Sequence, residues 1–192
     1  MIEMLIAMAI FVTFTGILIN SYTSIVRAQR DSNDYRVLYS EARHVFDVLT
    51  HELREGMVDY GRLEYCNAPL VYGQEAIYLV SKDASVFTNV YRDEEDGKIM
   101  LSKQSSENDP WSDPMELNSS EVTVKDFKIY VTPAVDPYNS SFVTDDAYQI
   151  HPKVTIYANF EKELTSGKIF NIDLQTTISS RIYNQIYPSQ CL

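Results

Sequence analysis

Charge is missing where the chain begins. Between Met4 and Val26 no residue is charged. Glycine is scarce throughout, with six in 192 residues. That leaves little material for loops that cradle phosphate, and no P-loop, G-x-G-x-x-G, G-x-S-x-G or H-E-x-x-H is present. No enzyme chemistry is therefore predicted. There are two cysteines, Cys66 and Cys191, and no C-x-x-C, which argues against a zinc cluster. The three histidines, His44, His51 and His151, are scattered. His44 and His51 share a helical face but lie two turns apart, too far for one metal ion, and read as surface residues. Neither a metal nor any other cofactor is expected.

Positive charge is also short. Lysine and arginine total 16 against 27 aspartates and glutamates, a net charge of −11. Such a surface repels phosphate, so nucleic-acid binding is not expected. It suits a soluble domain facing away from the cytoplasm.

What is present is concentrated at the start. The uncharged window Met4–Val26 has 23 residues. At 1.5 Å per residue it makes about 34 Å of helix, enough to cross a hydrocarbon core of about 30 Å. Met4, Leu5, Ile6, Ile10, Phe11, Phe14, Ile17 and Leu18 form its apolar bulk. A cleaved secretory signal would need a shorter apolar stretch, a basic start and a small-residue cleavage site. No basic residue precedes the block and no A-x-A follows it, so a retained helix is favoured. Arg27 and Arg30 follow it. Taken literally, the positive-inside rule then puts the rest of the chain in the cytoplasm, unless a basic leader precedes Met1.

Helical periodicity continues beyond the block. Tyr35, Leu38, Ala42, Val45, Phe46, Leu49 and Leu53 recur at steps of three and four, with Glu41, Arg43, Asp47, Thr50 and Glu52 between them. No proline occurs before Pro69 and no glycine other than Gly16 before Gly56. One helix of about 80 Å is predicted, ending near Gly56. The second half must lay one stripe against something.

That something is the remainder, which is short-segmented, β-branched and tyrosine-rich. Strands are predicted at 75–81, 85–93 and 98–102, with Asp96-Gly97 as a hairpin turn. The segment 121–133 alternates at Val122 and Val124, then slips to Phe127, Ile129 and Val131, which predicts a bulge. Residues 153–160 and 168–183 form a long hairpin around Gly167, with Phe170, Ile172, Leu174, Ile178 and Ile182 on one face. Residues 105–114 and 132–147 read as loops. The fold class is α+β, in three parts. Residues 1–26 are the transmembrane half of the helix, 27–60 its amphipathic half, and 61–192 a β-rich head built on an antiparallel sheet.

Two surface motifs carry bland readings. "DEEDG" (93–97) lacks the ligand spacing of a calcium loop and reads as a solvated turn. Asn118 and Asn139 head glycosylation-type sequons in or beside loops, a pattern common by chance. A Cys66–Cys191 disulfide would close a loop of well over a hundred residues. On chain-entropy grounds it would contribute on the order of 4–5 kcal/mol in an oxidising compartment. Two free thiols are the alternative.

"IEMLIAMAIFV" resembles the start of type IV pilins and type II secretion pseudopilins, whose mature chains begin Phe-Thr-Leu-(Ile/Leu)-Glu before about twenty apolar residues. Ile2-Glu3-Met4 matches the segment around that family's glutamate, and the half-apolar, half-amphipathic helix before a β head is similar. "EARHVFDVLTHELREG", followed by "IYLVS" and "NVYRDEEDGKIML", is similar to the J-type minor pseudopilins, the PulJ- and PilW-like proteins. The resemblance implies a minor subunit of a pilus or pseudopilus, placed at its tip. Glu3 would set register against an N-terminal amine, and the residues from Met4 to Leu18 would form the filament core. It implies other pilin subunits and an inner-membrane assembly platform as partners, a prepilin peptidase where a leader exists, and the lipid bilayer before assembly. The head would stand outside the inner membrane and later at the cell surface. The family's basic leader would also supply the cytoplasmic charge missing above. A signal-anchored extracytoplasmic binding domain outside any filament is the competing reading.

Overall fold

The computed structural model describes residues 2–61, 73–106, 109–134, 137, 151–164 and 167–180. One helix, α1 (Ile2–Glu55), runs unbroken for 54 residues. Nothing in its sequence interrupts it, because Gly16 is the only strong helix-breaker inside it. Its two halves do opposite things. From Ile2 to Val37 no residue is buried, whereas Leu38, Ala42, Val45, Phe46, Leu49 and Leu53 are all buried. This is the predicted stripe, with Tyr35 at its exposed upper end.

The helix ends at Gly56, and there the reading of 27–60 as one helical unit needs correction. Gly56–Val58 form a strand, β1, with no loop between. Gly56 fits because a Cβ there would lie 3.0 Å from the Glu52 carbonyl and 3.2 Å from Leu79. A residue without a side chain lets the chain pass this close to β2 (Ala76–Ser81) without displacing its neighbours.

The head holds two antiparallel sheets rather than one. The first has five strands in sequence order: β1, β2, β3 (Phe87–Asp93), β4 (Lys98–Gln104) and β5 (Met115–Glu116). The second is β6 (Thr123–Thr132), β7 (Lys153–Glu163) and β8 (Ile169–Ser179). The expected bulge is there, as a register shift between Val124 and Asp126. It lets Val122 and Val124 as well as Phe127, Ile129 and Val131 face the core. The expected hairpin is there too. Gly167, at φ 76°, closes the β7–β8 turn by donating to the Leu164 carbonyl.

The sheets are stitched at β6. Gln74 and Ile129 exchange backbone hydrogen bonds. Arg92 Nε donates to the Val124 carbonyl at 2.8 Å, and Val124 N donates to the Gly97 carbonyl at 2.7 Å. Gly97 sits in the β3–β4 turn with φ 62° and is buried against β6, while Glu94, Glu95 and Asp96 are exposed, so "DEEDG" is a solvated turn whose glycine docks on β6. One core joins the helix stripe to Ile77, Leu79, Val90, Ile99 and Leu101 of the first sheet and to Phe127, Ile129, Ile156 and Phe160 of the second. A smaller cluster of Met57, Val80 and Phe87 lies under Trp111. The 105–114 connection is thus tied down by its tryptophan, which tilts against Tyr78 at 6.2 Å.

The helix runs alongside β8 and in the same direction. Tyr35 meets Phe170 edge-on at 5.8 Å near the start of β8 and of the packed half of the helix. Ser180 Oγ donates to the Gly56 carbonyl at 2.8 Å near their ends. Between these points Phe46 packs on Phe160 at 6.1 Å. The outcome is an α+β architecture consistent with a pilin-like fold.

Two substitutions test this packing by denaturant unfolding of the full chain in detergent. Phe160→Ala should cost about 3–5 kcal/mol, as for a large ring deleted from a closed core. At Gly97 an added Cβ would fall 2.5 Å from Thr123 Cγ2 in a left-handed backbone, so Gly97→Ala should cost about 1–3 kcal/mol. An unchanged midpoint for the latter would mean that the turn does not dock on β6.

Candidate functional site

The site is the free half of α1 and the joint where it enters the head. The free half follows from composition. An α-helix satisfies its own backbone, so an apolar sequence can remain helical without tertiary contacts if its surroundings are apolar. Two of its hydroxyls are bonded back to the helix. Thr13 Oγ1 donates to the carbonyls of Ala9 and Ile10, and Thr23 Oγ1 to that of Asn20. Met4, Leu5, Ile6, Ile10, Phe11, Phe14, Ile17 and Leu18 are 52–78% exposed and point all round the helix. This helix is long and apolar enough to cross a membrane, with a mean hydropathy of 2.3 over its best window. It is a candidate membrane anchor by length and composition.

Glu3 lies in the first turn of α1. Its negative charge is favourably placed there, near the partial positive charge and unpaired N–H groups of the helix N-terminus. Ile2, Met4, Leu5 and Ile6 around it are all exposed. Among the described residues Glu3 is the one charge before Arg27, in a collar of uncovered apolar side chains.

Sequence reasoning missed the joint. Lys162 stands on the core-facing register of β7, after Val154, Ile156, Ala158 and Phe160, and is 7% exposed. Its ammonium lies 2.6 Å from Glu121 Oε2 and 3.8 Å from Asp34 Oδ1 of α1. Two further contacts hold the same flank of the helix. Ser119 N donates to Glu41 Oε2 at 3.2 Å, and Lys103 Nζ donates to Glu52 Oε1 at 2.8 Å. A signal for the first was present: a lysine on the apolar register of "KVTIYANFEKE" needs a carboxylate to offset its desolvation. Nothing local in the sequence could name Asp34 as that carboxylate.

Asn118 is structural. It is buried, its Oδ1 accepts from Ile99 N at 2.8 Å and its Nδ2 donates to the Val122 carbonyl at 2.7 Å. The nitrogen that a glycan would need is engaged inside the head. Cys66, Cys191 and Asn139 lie outside the described residues. His44 and His51 are exposed, and His51 faces Glu55 at 3.4 Å. Among the described residues no three His, Cys, Asp or Glu side chains are grouped so as to hold a metal ion.

On the outer face of the second sheet, Asp173 accepts from Asn159 Nδ2 at 2.7 Å and from the Tyr157 hydroxyl at 2.8 Å. These two donors hold its carboxyl below the usual carboxylate range, and the same bond raises the Tyr157 phenol. In the β2–β3 turn, Ser81 and Ser85 hydrogen bonds hold Asp83 at about 2. No family model, curated protein or solved structure matches this chain.

Two outcomes are expected. Lys162→Ala removes the ammonium that Asp34 and Glu121 share. Because Glu121 is largely exposed, the loss should be about 1–3 kcal/mol, with faster amide exchange at residues 31–38. Tyr157→Phe removes one donor from Asp173, so its titration followed by carboxyl-carbon NMR should move up towards the ordinary value. A depressed carboxylate stabilises the fold above its unfolded value and loses that contribution as pH falls through its folded one. The variant should therefore lose stability at neutral pH and narrow its gap to the wild type under strong acid.

Proposed function

We propose that this chain is a minor pilin or pseudopilin, a structural subunit whose apolar half-helix is held in the membrane and then packed into a helical bundle. The observation that carries this reading is the continuity of α1. The same helix is apolar at one end and built into the core of the head at the other, with no hinge between. A tether for a binding domain needs only reach, and a flexible linker supplies that. A rigid stalk fixes where the head stands relative to the apolar half, which matters when many copies or partners must pack at defined heights and angles. The J-like pattern after the helix supports a place at the filament tip.

Glu3 has a defined part in this reading. A carboxylate in a lipid-like environment costs several kcal/mol, and an opposed ammonium offsets most of it. A charge with one suitable partner also sets the axial position of the helix. Before assembly Glu3 sits at the membrane surface and is solvated. In the bundle it pairs with an N-terminal amine. The head stands outside the inner membrane and reaches the cell surface with the filament.

The test is Glu3→Ala. Membrane fractionation should show normal insertion, since removing a charge makes the helix more apolar. Recovery in sheared filaments, or co-purification with partner pilin subunits, should fall sharply. Normal assembly of the variant would remove the register role and favour a simple anchor.

A further inference from the structure

The two sheets guard their edges unequally. β1 and β5 are three and two residues long, too short to template another strand. β6 is covered by the Gln74 bridge and the Gly97 turn. β8 has none of these protections. It runs 11 residues, Ile169–Ser179, in unbroken register with β7. Among the described residues no strand pairs with its other side. Its sequence, "IFNIDLQTTIS", has no proline, glycine or lysine and a single charge, Asp173. Edge strands of stable proteins are normally blunted by such residues or by bulges.

The flanks of this edge are differentiated. Towards α1 lies Phe170, 37% exposed beside Tyr35. Ile172 and Leu174 follow, half-buried against the core. On the outer face lie Ile169, 68% exposed, and then Asn171, Asp173, Gln175 and Thr177, all exposed. The edge thus offers a row of backbone donors and acceptors, an apolar shelf on one side and one fixed carboxylate on the other.

We infer that β8 is a docking edge that accepts an extended segment of a different polypeptide as a fourth strand. The segment alternates apolar and polar residues and carries a basic residue opposite Asp173. This is strand addition, in which main-chain hydrogen bonds give affinity and alternate side chains give specificity. A second copy fits poorly. Antiparallel pairing of β8 with itself requires a two-fold axis perpendicular to the sheet. Because α1 runs alongside β8, that axis would reverse the partner's helix and point the two apolar halves in opposite directions. The Asp173 carboxylate, held by Asn159 and Tyr157, supplies the charge that a basic partner residue complements.

The probe is a synthetic peptide copying β7, residues 153–163, which already matches β8 in register, with a second version carrying Asn159→Lys. Amide exchange of the full chain in detergent should slow along 169–179 as peptide is added. The lysine version should bind more tightly, and Asp173→Asn in the protein should erase that difference. Gln175→Lys, a charge on the edge itself, should weaken binding by about tenfold. Glu3→Ala should leave all of this unchanged, so the docking edge and the filament reading fail separately. No slowing at millimolar peptide would overturn the inference. So would outward β8 amides already protected at every dilution, which would mean that the edge is covered by its own chain. Protection that rises with protein concentration alone would make a second copy the occupant and overturn it equally.

Discussion

Everything else in this molecule depends on how one stripe of α1 is buried. Leu38, Ala42, Val45, Phe46, Leu49 and Leu53 close the core that both sheets share. Remove them and the sheets lose the helix that closes their common core, leaving the contacts of β6 with the first sheet: a bridge, the Gly97 turn, Arg92, the Lys128–Glu75 pair and their apolar packing. The same burial fixes the helix axis. Phe46 on Phe160 and Tyr35 on Phe170 set its position over the second sheet. Asp34, Glu41 and Glu52 secure its other flank to Lys162, Ser119 and Lys103. With the lower half immobilised, the upper half can only project as a rod.

That division explains how one helix serves two environments. Below Leu38 its stability comes from tertiary packing, with polar side chains facing water. Above it Tyr35 and Asp34 contact the head; ahead of these no residue of the helix is buried, and helix formation relies on satisfying the backbone internally in apolar surroundings. The transition is marked by Arg27 and Arg30, which suit a headgroup boundary. Lys162 reaches the helix at the level of Asp34, a turn below Arg30.

Much of this was legible in the chain. The three-four spacing of the stripe, the bulge after Val124, the Gly97 turn and the hairpin around Gly167 each follow from local rules, and each is local in cause. What was hidden is non-local. That Gly56 opens a strand, β1, depends on β2, distant in sequence, with which it pairs. The division into two sheets depends on where β6 docks, which no strand encodes by itself. The joint pairs Asp34 with Lys162 across most of the chain. The rod and Glu3 were the most readable part of the candidate site, because an apolar run and a carboxylate at its tip are properties of sequence alone.

The central claim is that rigid continuity of α1 makes this chain a building block rather than a tether. It is tested most directly by breaking that continuity without touching either half. A flexible Gly-Ser insertion between Arg30 and Asp31 leaves the apolar block and the buried stripe intact. The measurement is the ratio of subunit recovered in assembled filaments to subunit retained in the inner membrane. The account predicts full membrane retention and loss of assembly. Assembly at the wild-type ratio with the insertion in place would contradict it.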